Sequence, residues 1–200
     1  MAAVITDNNR APHVHIYVEE NPNPNSMKFV MSFMLMADGI VKDYATKEDT
    51  HDSPLAAALF NEFDFVERVF LSKNFITITK AESVEWVEIN SIIRTYLKDY
   101  FEAQKPVFSE DLPDSKVELN DDPTIARIKD ILDQYIRPAV EMDGGAISFS
   151  QFDKEIGKLS VLLQGSCSGC PSSSITLKAG IENLFKNMMP EVKEVVAENA

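Results

Sequence analysis

Cys167 and Cys170 are the only two cysteines in 200 residues, and they stand in Gln164-Gly165-Ser166-Cys167-Ser168-Gly169-Cys170-Pro171, where a strand pattern gives way to a helix pattern. Two thiols brought together by a glycine-containing turn can point at one atom. Backbone N–H groups at the following helix start favour thiolate over thiol, and Pro171 suits the first helical turn. Gly165 and Gly169 allow left-handed or crowded backbone that turns N–H groups toward an anion. The pair therefore reads as a metal or redox site. Two thiolates fall short of the about four protein ligands that iron–sulfur clusters and structural zinc take. A second copy of the chain is the simplest way to complete the shell.

Composition narrows the remaining choices. At 44% hydrophobic residues the chain can build a real core, as one large domain or two small ones. A formal net charge of −13 repels phosphate backbones and speaks against nucleic-acid binding. The apolar run around Phe33 to Ala37 is far shorter than the roughly 20 residues of a spanning helix, so no membrane partner is expected. Met1 to Asp7 is neither basic nor followed by a signal-type apolar core, and two close cysteines exclude a secreted disulfide framework. A reducing interior compartment, written as cytoplasmic, is the expectation.

Hydrophobic periodicity places the pair late in a two-part chain. Strands are expected at His13–Glu20 and Lys28–Leu35, on either side of the turn Asn21-Pro22-Asn23-Pro24-Asn25. Ser53-Pro54 reads as a cap and first residue of a helix carrying Leu55, Leu59 and Phe63 on one face. A hairpin follows, Val66–Leu71 and Phe75–Thr79 around Ser72-Lys73-Asn74. A long helix then opens near Ser83 and buries Ile89, Ile93, Tyr96, Leu97 and Tyr100.

From Ser109 to Asp122 six acids, Glu110, Asp111, Asp114, Glu118, Asp121 and Asp122, oppose the single base Lys116, with almost no apolar periodicity. Such a segment has little to bury and reads as a linker. The expected organisation is a first domain at 13–107, an acidic linker at 108–120 and a second domain at 121–200. In the second, Pro123 starts a helix with Ile125, Ile128, Leu132 and Tyr135 on its core face, and Pro138 kinks or breaks it. Strands at Ile147–Phe152 and Leu159–Leu163 follow. A helix from Pro171 to the stop at Pro190 and a last strand around Val192, Val195 and Val196 complete an α-β-β-α-β order within an α+β class.

Three other features weigh less. Asp143-Gly144-Gly145 carries an acid, but a helix stop explains it without catalysis. His13 and His15 share a strand face with no third ligand nearby, so a solvated edge strand is preferred to a metal site, and His51 stands alone. Met27, Met31, Met34 and Met36 are read as core filler rather than an adaptable docking surface. No phosphate loop, Gly-x-Ser-x-Gly elbow or His-Glu-x-x-His helix occurs in the sequence, and the chain is not read as an enzyme.

Ile136-Arg137-Pro138-Ala139-Val140, Asp143-Gly144-Gly145, Leu163 through Ser173, Leu177-Lys178-Ala179-Gly180-Ile181-Glu182 and Pro190-Glu191-Val192 together resemble the NifU C-terminal (Nfu-type) domain. Pro22-Asn23-Pro24-Asn25-Ser26-Met27-Lys28-Phe29, Ser53-Pro54-Leu55, Phe75 through Lys80 and Lys105-Pro106-Val107 resemble the Nfu N-terminal domain. Ala146 departs from the resemblance, since the family often has an acid after the paired glycines. The resemblance implies an iron–sulfur scaffold or carrier. In that reading Cys167 and Cys170 join those of another protomer around a shared [4Fe–4S] cluster, which passes to apo-proteins by thiolate exchange. The implied partners are apo iron–sulfur clients, upstream cluster-assembly proteins and a second copy in a homodimer formed on loading. The cysteine-free first domain is expected to recognise partners.

Two other functions compete for the same pair. A thioredoxin-like disulfide oxidoreductase would use a lowered thiol pKa, but only thirty residues follow Cys170. A zinc-bridged structural dimer would use the same four thiolates.

Overall fold

The computed structural model describes residues 13–109, 122–168 and 171–199, with side chains of the last stretch from 177 onward. The chain divides into two compact units, Met1–Glu20 with Pro24–Lys116 and Asn21–Asn23 with Val117–Ala200. Both mix strands and helices, an α+β arrangement. Most of the acidic segment, 110–121, lies outside the described residues.

The first unit is a five-stranded antiparallel sheet, β1 (Ile16–Glu20), β2 (Ser26–Met31), β3 (Val41–Tyr44), β4 (Val66–Ser72) and β5 (Phe75–Lys80), in the order β1-β2-β5-β4-β3. Helix α1 (Pro54–Glu62) starts where the sequence sets it: the Ser53 hydroxyl accepts from Ala56 N at 3.2 Å and donates to Val107 O at 2.8 Å. Leu55 and Leu59 are fully buried. Helix α2 (Trp86–Glu102) buries Ile89, Ile93, Leu97 and Tyr100 along one stripe, with Tyr96 packed partly buried beside them. The Tyr100 hydroxyl donates to Pro106 O at 2.8 Å.

The strand expected at Lys28–Leu35 stops at Met31: Ser32 N still donates to His15 O, but the chain then turns off, and Leu35 N donates to Lys73 O in the β4–β5 turn. The strand Val41–Tyr44 was not expected, being short and only half apolar. Met27, Met31 and Met36 are buried, whereas Met34, at 53% exposure, is not core filler. His13 and His15 are exposed just ahead of β1, an edge strand.

The second unit opens with α3 (Pro123–Ile131), capped by the Asp122 carboxylate on Thr124 N at 2.9 Å. Pro138 neither breaks nor ends the helical run. It lacks the N–H that would reach Gln134 O, and the turn before it, Leu132–Ile136, widens to a π turn in which Arg137 N donates to Leu132 O. Helix α4 (Arg137–Met142) continues with Pro138 in its first turn. The widened turn shifts the phase of the apolar stripe, so Ile128, Leu132, Ile136 and Val140 are buried and Tyr135, expected on the core face, is 53% exposed.

Strands β6 (Gly145–Asp153) and β7 (Lys158–Gly165) pair antiparallel, and β8 (Glu194–Asn199) runs parallel to β7. The crossover between β7 and β8 is α5 (Pro171–Met188), which buries Ile181 and Phe185 against Leu159, Val161, Leu163 and Val195. A parallel pair needs such a crossover, and here the cysteine turn is the link from β7 into it.

Candidate metal centre

The turn that carries the thiols is built on the end of α4. Asp143 N donates to Ala139 O and Gly144 N to Glu141 O, both at 3.1 Å, and Gly144 takes φ 77°, the left-handed conformation that stops a helix. The stop leads directly into β6, whose first residue, Gly145, pairs with Gly165 at the end of β7. Gly165 has φ 67° and turns the chain out of the strand. Ser166 then folds back over the helix stop: its N–H donates to Gly144 O at 3.3 Å and its hydroxyl donates to Asp143 O. Ser168 N closes the turn on Gly165 O at 3.1 Å.

Cys167 is thereby held inward. It is 4% exposed and belongs to the hydrophobic core of the unit, with the Ser166 hydroxyl 3.9 Å from its Sγ. A Cβ built on Gly145 would meet Gln164 O at 2.6 Å and Cys167 Sγ at 2.9 Å, closer than real Cβ atoms come. The β6 backbone can approach the sulfur this closely because residue 145 has no side chain. Thiolate sulfur is the donor that iron and zinc take, so the donor chemistry fits a thiolate-bound metal or cluster. Cys170 lies outside the described residues. Among the described residues no three His, Cys, Asp or Glu side chains come together as a metal-holding group.

Sequence reasoning took Asp143-Gly144-Gly145 as a helix stop, which it is, and missed that it is also the floor of the cysteine turn. A signal was present. One glycine suffices to stop a helix, so the second has no conformational task there and points to a close approach by something else.

Two family models match this chain: "Scaffold protein Nfu/NifU N terminal" over residues 16–104 and "NifU-like domain" over residues 128–196. A protein of Arabidopsis thaliana named "NifU-like protein 5, mitochondrial" is 38% identical over 187 residues, 92% of this chain and 67% of that protein. This chain belongs to the Nfu-type family. A Drosophila ananassae member of the family, named "NFU1 iron-sulfur cluster scaffold homolog, mitochondrial", is also 38% identical over 187 residues. The present chain spans 64% of that relative's length. A solution NMR structure of a NifU-like protein from Saccharomyces cerevisiae matches 53% of this chain and 92% of its own, with 26% identity and a TM-score of 0.44.

Both named Nfu relatives are mitochondrial, and this overturns the cytoplasmic expectation. Two thiols and an acidic composition suit any reducing compartment, so composition had no means of choosing among them.

Proposed function

We propose that this Nfu-type chain is a scaffold and carrier of iron–sulfur clusters, with no catalytic role of its own. Cys167 and Cys170 of two protomers hold one [4Fe–4S] cluster between them and release it to apo-proteins after loading by upstream assembly proteins. The observation that carries the reading is the turn itself. One end is pinned by the Ser166 hydroxyl on Asp143 O, and the backbone of Gly145 packs closely against Cys167, an approach that only a glycine at 145 permits. The names of the relatives support the same cargo.

The cluster is cargo, and the chemistry of its passage is ligand exchange. A client thiolate forms a bond to an iron as the bond from that iron to Cys167 or Cys170 breaks. The departing cysteine sulfur takes up the proton the client thiol has lost, and no oxidation state changes. Exchange one ligand at a time is open to a cluster bridged across a small interface and closed to one enclosed within a single core. The first domain, at 13–107, has no cysteine and can supply no thiolate, and its part is to recognise partners. The acidic segment at 108–120 tethers it to the cluster-binding domain at 121–200, which keeps the effective concentration of cluster near a docked client high.

The test is anaerobic reconstitution with iron and sulfide, read by absorption and Mössbauer spectra. The parent chain acquires a [4Fe–4S] signature, and Cys167→Ala and Cys170→Ala each lose it while keeping the far-UV spectrum of the parent, since each removes two of four ligands from the symmetric site. Either variant binding the cluster at the parent's stoichiometry contradicts the assignment.

A further inference from the structure

The π turn at Leu132–Ile136 has an effect beyond accommodating Pro138. By shifting the phase of the helical run it brings Tyr135, Pro138, Ala139 and Met142 to the exposed side at i, i+3, i+4 and i+7 spacing. Tyr135 is 53% and Met142 73% exposed. The stripe ends at the cysteine turn: the residue after Met142 is Asp143, whose carbonyl accepts the Ser166 hydroxyl, and Ser166 is next to Cys167. None of the four side chains carries a charge. The charged side chains flanking it on the same run are Asp133 with Arg137, an ion pair that neutralises itself, and the half-buried Glu141.

We infer that this stripe is the surface on which a second copy of the chain docks when the two share a cluster; the inference rests on the bridging reading above and names the face it uses. Two observations favour a copy over any other occupant. A thiolate shell assembled from two chains brings the two cysteine turns together, and the surface continuous with each turn is then brought together as well. The chain also carries a net charge of −13, so two copies repel unless they meet on an uncharged face, and this stripe supplies one beside the site. Four partly exposed side chains cover far less than the roughly 800 Å² per partner of a stable interface, so the stripe aligns the copies but does not hold them together without the cluster. Reversible pairing of this kind is what a carrier requires.

The experiment compares the full chain with Met142→Glu and Tyr135→Glu, and with Ile156→Glu as a control. Ile156 is 57% exposed at the tip of the β6–β7 hairpin, the far end of the sheet from the cysteine turn. Because the contact is symmetric, each stripe variant places two added negative charges in one small interface. Apo proteins are first compared by thermal unfolding, where exposed sites leave the melting temperature near that of the parent. After anaerobic loading, sedimentation velocity and the rate of cluster loss on dilution are measured. Dimer dissociation and cluster loss about tenfold faster in both stripe variants, with Ile156→Glu matching the parent, is the expected result. Stripe variants that pair and retain cluster like the parent overturn the inference. Normal pairing with slowed delivery to an apo-ferredoxin overturns it too and assigns the stripe to clients. A parent chain that loads without pairing refutes the bridging reading itself, a result distinct from either.

Discussion

A side chain on Gly145 and the sulfur of Cys167 cannot both keep their places, because a Cβ on residue 145 would lie 2.9 Å from Sγ and 2.6 Å from Gln164 O. The second contact is with backbone, which cannot swing aside as a flexible side chain would. Gly145→Ala therefore pushes β6 away from β7 and displaces the cysteine turn. The expected cost is about 1–3 kcal/mol in urea unfolding, the range of overpacking in a tight interior, together with a reduced yield of loaded cluster. Gly180→Ala, inside α5 where an added Cβ meets no atom within 4 Å, is the contrasting control: it gains about 0.5–1 kcal/mol from helix propensity and leaves the yield of loaded cluster at the parent's level.

The Ser166 hydroxyl is buried and donates to Asp143 O, so it joins the cysteine turn to the end of α4. Ser166→Ala removes that buried hydrogen bond and loosens the turn. A loss of about 1–2 kcal/mol is expected in urea unfolding. Cluster release to a chelator should accelerate as well, because a turn held at fewer points resists ligand exchange less. Unchanged release rates with reduced stability would limit Ser166 to a structural role.

Much of this architecture is written locally. Ser53-Pro54 and Asp122-Pro123 start helices where cap chemistry requires, and the Val66–Leu71 and Phe75–Thr79 runs pair as a hairpin because β-branched alternation and a polar turn say so without help from distant residues. What escaped detection is what depends on tertiary placement. Tyr135 follows the apolar period of its helix in sequence but leaves the core face because a π turn intervenes, and the trigger is the missing N–H of Pro138, read as a kink or a break rather than as a change of helical phase. Cys167 was identified from spacing alone. Its burial and its dependence on Gly145 were not, since that contact joins the start of β6 to the turn after β7, residues distant in sequence that meet only when the hairpin has paired.

Acid sensitivity should appear at the start of α3. The Lys154 ammonium, 2.7 Å away, and next the Thr124 backbone N–H hold the Asp122 carboxyl down to about 2, below the ordinary carboxylate value near 3.9. A depressed folded value stabilises the fold above the unfolded value, and that contribution is lost as pH falls through about 4 toward 2. Urea unfolding of the parent and Asp122→Asn from pH 6 to pH 2 should show the parent ahead at the upper end and the gap closing across that window. Both side chains are substantially exposed, so added salt narrows the gap at every pH.

The central claim is that one chain supplies half of a cluster site, and it is tested most directly by the mass of the loaded protein together with its iron and sulfide content. Sedimentation equilibrium of the anaerobically reconstituted full chain should give twice the 22.4 kDa chain mass. The same sample should contain four irons and four sulfides per two chains, as expected for one [4Fe–4S] cluster bridged by two cysteine pairs. The apo protein should sediment as a monomer. A loaded species of single-chain mass that retains a complete [4Fe–4S] cluster would contradict the account.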